Sequence, residues 1–126
     1  MLGAPDTASD EDTAPATCTV AELGTCVQLT AAGELDLAAV PLLRAAAERV
    51  APARGGLVVL DLCGATFVDG ALVHFALGLD RRTAAQGGAL VVVAGRRAKE
   101  LFALVGADGI TVVEDGARPV TTEAAS

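Results

Sequence analysis

The sequence has no tryptophan and no tyrosine, and only three phenylalanines and one histidine. It offers no aromatic platform for stacking on bases or sugars, and its core has to be built from aliphatic side chains. Basic residues are scarce as well: nine Lys and Arg stand against 16 Asp and Glu, for a formal net charge of −7. With no basic patch to neutralise phosphates in number, nucleic acid is not an expected partner. No run of about 18 uncharged apolar residues occurs, so no membrane-spanning helix is expected. The acidic opening MLGAPDTASDEDTAPA lacks the basic start of a signal or transit peptide. The expected location is therefore the cytoplasm, with no membrane partner. Cys18, Cys26 and Cys63 stand singly without a C-x-x-C pair. They yield neither a disulfide framework nor a zinc cluster, and they read as small buried apolar residues.

What is present is a chain of 126 residues, 52% of them apolar, enough for one core of ordinary size. Residues 1–16 combine Pro5 and Pro15 with Asp6, Asp10, Glu11 and Asp12 and show no apolar period, so they read as a disordered acidic tail. The folded domain is expected over residues 17–115. Within it, Cys18 to Glu22 and Cys26 to about Gly33 alternate apolar and polar residues around Gly24-Thr25, the pattern of a β-hairpin. Leu37, Val40, Leu43, Ala47 and Val50 then recur at helical spacing behind Asp36, with Pro41 early enough to be tolerated. Leu57 to Leu62 and Ala89 to Ala94 are short apolar runs of the kind buried on both faces of a parallel sheet. Between them, Asp69 to about Gln86 is helical in pattern and stopped by Gly87-Gly88. A third helix is expected over Arg97 to Val105 with Leu101, Leu104 and Val105 inward, and a last strand over Ile110 to Val113. Residues 116–126 read as a flexible tail or a short terminal helix. The fold class is α/β: one domain with a mostly parallel sheet of four to five strands that opens on an antiparallel hairpin, with helices packed on it.

Three stretches carry a resemblance. Gly33-Glu34-Leu35-Asp36 precedes the first helix, Leu57 to Leu62 forms a strand, and Ala65-Thr66-Phe67-Val68-Asp69 leads into the second helix. In this order they resemble the STAS domain of bacterial anti-sigma factor antagonists over about residues 18 to 115. The resemblance implies an α/β regulatory domain that binds an anti-sigma factor or serine-kinase-type regulator and catalyses nothing. In that family the Asp closing the second motif is followed by Ser-Ser or Ser-Thr and then Gly-Leu-Gly, and a cognate kinase phosphorylates a hydroxyl there. Here the chain reads Asp69-Gly70-Ala71-Leu72-Val73-His74. Neither Gly70 nor Ala71 has an oxygen to accept phosphate, and Leu72 and His74 replace small residues. The implied binding face is Asp36, Asp69, Gly70, Ala71, Leu72, His74 and Phe75. Thr66 is a hydroxyl nearby, and it reads as a strand-end residue.

The second helix has apolar residues over an arc of roughly 200°, about twice what one buried stripe requires. Either Leu72 and Phe75 face outward as a patch for a partner or for a second copy in a homodimer, or a wide core absorbs the whole arc. Enzymatic readings find little support. His74, the single histidine, falls on the polar side of its helix with no nucleophile in a recognisable motif. Gly64 to Gly70 lacks the Gly-Lys-Ser/Thr end of a phosphate loop, so no cofactor is expected. Asp36 and Asp69 read as helix caps. Asp61 could join them at one end of the sheet, but without a fourth oxygen donor no metal site is assigned. Arg96-Arg97-Lys99 reads as a solvated face or as a dock for an acidic partner. The alternative to an antagonist is a degenerate STAS scaffold, an oligomer component of a stress or transport assembly.

Overall fold

The computed structural model describes residues 15–49, 56–107 and 109–114. The tail segments discussed above lie outside these residues, apart from Pro15 and Ala16. A hairpin of β1 (Thr17–Leu23) and β2 (Cys26–Leu35) leads through a 3-10 turn (Leu37–Ala39) into α1 (Val40–Arg49). Then β3 (Leu57–Val68), α2 (Gly70–Ala85), β4 (Ala89–Ala94), α3 (Arg96–Leu104) and β5 (Thr111–Glu114) alternate. They form one sheet in the order β1-β2-β3-β4-β5, with β1 antiparallel to β2 and every other pair parallel. This is the expected α/β architecture. Each crossover steps to the next strand in one direction, and right-handed crossovers then place all three helices on the same face.

Burial along the strands follows the period of two that a one-sided sheet demands. Val27, Leu29, Ala31 and Leu35 of β2, Val58, Leu60 and Leu62 of β3, and Leu90, Val92 and Ala94 of β4 point into the core. Leu43, Ala46 and Ala47 of α1, the apolar side of α2, and Ala98 and Phe102 of α3 close over them as one cluster. The intervening Gln28, Thr30, Val59, Asp61, Val91 and Val93 are only half-buried, and Leu23, Leu57 and Val113 are exposed on the open face. β3 and β4 are thus covered on one face, not two. The three cysteines are half-buried where full burial was expected, because Cys26 and Cys63 fall outside the core-facing positions and Cys18 sits on the edge strand.

Two boundaries move for physical reasons. β3 continues six residues past Leu62, held by pairing with β2 that runs to Leu35↔Val68 through two register shifts. Gly33, at φ 89°, sits at one of these shifts inside β2, a backbone conformation that glycine alone takes without strain. In α3 the inward residues are Ala98 and Phe102, with Leu101 partly buried against the core, while Leu104 and Val105 are exposed. Leu104 lies about 200° round the helix from Phe102, and Val105 follows the last helical residue.

The start of β4 meets the segment before β3 at close range. Ala89 N–H donates to the Gly56 carbonyl at 3.1 Å, and a Cβ on Gly88 would overlap that same oxygen. Gly88→Ala is therefore expected to destabilise the domain by about 1–3 kcal/mol in urea unfolding, through overpacking against backbone. Gly78→Ala, in α2 with nothing within 4 Å of the added atom, is expected to stabilise it by about 0.5–1 kcal/mol.

Candidate functional site

The β2–β3 ladder delivers two acidic residues to one end of the sheet. Leu35 is paired with Val68, and Asp69 N–H donates to the Leu35 carbonyl at 3.4 Å, so Asp36 and Asp69 leave the sheet side by side. Asp69 has extended backbone, and its Oδ1 accepts the Ala71 N–H at 2.9 Å. That bond satisfies one of the free donors at the start of α2 and places a negative charge at the positive end of the helix dipole. Asp36 behaves differently. Its side chain makes no capping bond, and only its carbonyl holds the turn, accepting the Ala39 N–H at 2.9 Å. The expectation that both aspartates cap helices holds for Asp69 alone, because the chain after Asp36 enters a 3-10 turn before the helix.

Beyond the cap, Gly70 and His74 are exposed and Ala71 is half-buried. No atom lies within 4 Å of where a Cβ on Gly70 would stand, so the space a larger residue would fill is open. Leu72 and Phe75 are not part of this surface: they are 0% and 9% exposed. Of the two readings of the apolar arc, the wide core is the one found, and an outward patch of Leu72 and Phe75 is overturned: α2, the middle helix, packs against α1, α3, β4 and the 3-10 turn and so buries the arc. A homodimer through that patch loses its basis.

The apolar surface at this end comes instead from Leu37 and Phe67, 71% and 50% exposed. Sequence reasoning missed both. Leu37 fits the helical spacing, but the 3-10 turn advances side chains by about 120° per residue and swings it out of phase. Phe67 follows the irregularities in the β2–β3 register, which break the alternation that would have assigned it a face.

The remaining candidates stay local. Asp61 Oδ1 accepts the Cys63 N–H at 2.9 Å, two residues away. It does not join Asp36 and Asp69, and no group of three or more His, Cys, Asp or Glu is gathered among the described residues. In the basic run, Arg96 pairs with Glu100 at 3.4 Å and Lys99 with Glu114 at 3.9 Å, both in solvent, where such pairs contribute about 0–1 kcal/mol. Arg97 has no ionic partner among the described residues. It borders a cleft of about 310 Å³ beside the end of β3, and a groove of about 300 Å³ runs between α1 and α2 past Arg44, His74 and Arg82. Burial pushes the Cys18 thiol above its ordinary pKa, against the opposing pull of Arg49, so it stays protonated at neutral pH and is a poor nucleophile.

The family model described as Mlab, STAS domain matches residues 18–114. The chain belongs to the STAS domain family. A crystal structure of an anti-sigma factor antagonist from Mycobacterium paratuberculosis superposes on this STAS domain with a TM-score of 0.71. The match covers 86% of this chain and 93% of the other at 21% identity, a likeness of fold. No curated protein matches the chain.

The two aspartates of this STAS domain should separate in mutagenesis. Asp69→Ala is expected to cost about 1 kcal/mol in chemical denaturation, the ordinary loss of an N-cap. Asp36→Ala, which removes no side-chain bond, should stay within about 0.5 kcal/mol of the parent.

Proposed function

We propose that this STAS domain is an anti-sigma factor antagonist-like regulator. It binds an anti-sigma factor or related serine-kinase-type protein and is not switched by phosphorylation at the start of α2. The observation that carries this reading is the composition of one end of the sheet. Leu37 directly follows Asp36 and Phe67 lies two residues before Asp69, both exposed apolar side chains next to polar chain neighbours, with Gly70 and His74 exposed beyond Asp69; exposed large apolar residues of this kind are what a protein partner buries. The likeness of fold to an anti-sigma factor antagonist supports the choice of partner class.

The chemistry of the same end disfavours control by phosphate. Phosphate on a residue at the first turn of α2 would bring roughly −1.5 to −2 charges beside the Asp69 carboxylate. Gly70 and Ala71 provide no hydroxyl for it, and Thr66, exposed near the end of β3, lies on the other side of Asp69. Binding is then constitutive, set by the amounts of the two proteins.

Affinity capture on the tagged full chain, read by mass spectrometry, is expected to return a regulator with a serine-kinase-type ATPase domain. Recovery of STAS chains or transport components in its place would favour the scaffold alternative. Leu37→Asp combined with Phe67→Ser should weaken that capture by about tenfold or more. Both side chains are exposed, so the folded circular dichroism spectrum should be unchanged.

A further inference from the structure

The ladder between β3 and β4 ends early. β3 runs to Val68, but its register with β4 stops at Asp61↔Val93, because β4 finishes at Ala94 and Gly95 turns the chain into α3. On its other side β3 stays paired with β2 as far as Val68, through two register shifts. Among the described residues, the second half of β3 is therefore a strand with one neighbour. Asp61 takes the Cys63 N–H where β4 departs, so the open edge begins at Gly64. From there to Val68 it measures about 16 Å at ~3.3 Å per residue. An exposed edge of this kind presents a row of backbone donors and acceptors on which another extended chain can pair.

The space beside the edge is shaped and carries a charge opposite to that of the chain. The cleft of about 310 Å³ lies between this part of β3 and the start of α3, where Gly95, Arg97 and Ala98 line it. Among the described residues no acidic one lines it, in a chain of net charge −7. Arg96 and Lys99 pair with Glu100 and Glu114, which leaves the Arg97 guanidinium without an ionic partner among the described residues. The first turn of α3 contains no acid, and Gly95 supplies no side-chain cap. A carboxylate entering the cleft would meet Arg97 and the free N–H groups of that turn. Phe67, half exposed on the wall, offers apolar contact.

We infer that the protein partner docks here by strand addition. An extended segment of four or five residues pairs with the Gly64–Val68 edge in the line that a longer β4 would follow, and sets an acidic side chain against Arg97. The inference rests on the partner-binding reading above and names the chemistry of what the partner inserts.

A phage library of random heptapeptides panned against the full chain supplies the probe. Selected sequences are expected to be rich in Asp or Glu, and a synthetic representative should slow amide hydrogen exchange within residues 64–68. Arg97→Glu should weaken that peptide by about tenfold or more, whereas Arg96→Glu should change it by less than about threefold. The inference is overturned if no peptide is selected, if selection shows no acidic preference, or if protection falls outside residues 64–68. It is equally overturned if that stretch becomes protected without peptide as the chain's own concentration rises, which would make the occupant a second copy. Capture of the regulator keeps the two readings apart. Peptide binding without such capture would sink the antagonist role alone, and a captured complex with unaltered exchange at 64–68 would sink strand addition alone.

Discussion

The parallel ladder between β2 and β3 sets where the helices pack and where both acidic residues leave the sheet. It is the longest pairing in the sheet, running from Cys26↔Leu57 to Leu35↔Val68. Its core-facing residues, Val27, Leu29, Ala31 and Leu35 against Val58, Leu60 and Leu62, form the floor on which the helices pack. Because both strands end together, Asp36 and Asp69 emerge side by side, and the Asp69 cap fixes where α2 begins. Because β4 is only six residues long, the same ladder leaves the last part of β3 open on one edge. The proposed dock follows from the common end of β2 and β3, and the proposed strand-addition site from the early end of β4.

Much of this could be read from the chain. The hairpin around Gly24-Thr25, the order of strands and helices, the parallel sheet and the N-cap at Asp69 all follow from apolar period and turn chemistry, which are local properties. What was left open or missed depended on neighbours. The wide apolar arc of α2 is absorbed by the core because this helix lies between two others, a fact of packing order that no helical wheel contains. The length of β3 was hidden by Gly64 and Thr66, which interrupt the apolar run while pairing with β2 carries the strand onward. Leu37 and Phe67, the exposed apolar residues of the candidate site, escaped for a related reason. Each follows a local irregularity, a 3-10 turn or a register shift, after which the simple period no longer assigns a face.

The site that results is chemically quiet. Its titratable members are two carboxylates and His74; one carboxylate is committed to a helix cap, and His74 is exposed to solvent. Recognition then falls to shape, apolar contact and fixed charge, the terms that set affinity between proteins. A switch built on phosphate would need an acceptor hydroxyl where Gly70 and Ala71 stand. Without one, the proposed regulation is stoichiometric: the complex forms in proportion to the two components, and the kinase activity of the partner has no effect on it.

Constitutive binding at the start of α2 is open to calorimetric titration of the full chain against its captured kinase-type regulator. The titration is run before and after incubating the two together with magnesium and ATP. The same dissociation constant is expected in both cases, with no gain of phosphate in the intact mass of the chain. A dissociation constant that rises about tenfold or more after incubation, with one phosphate added to this chain, would contradict constitutive binding.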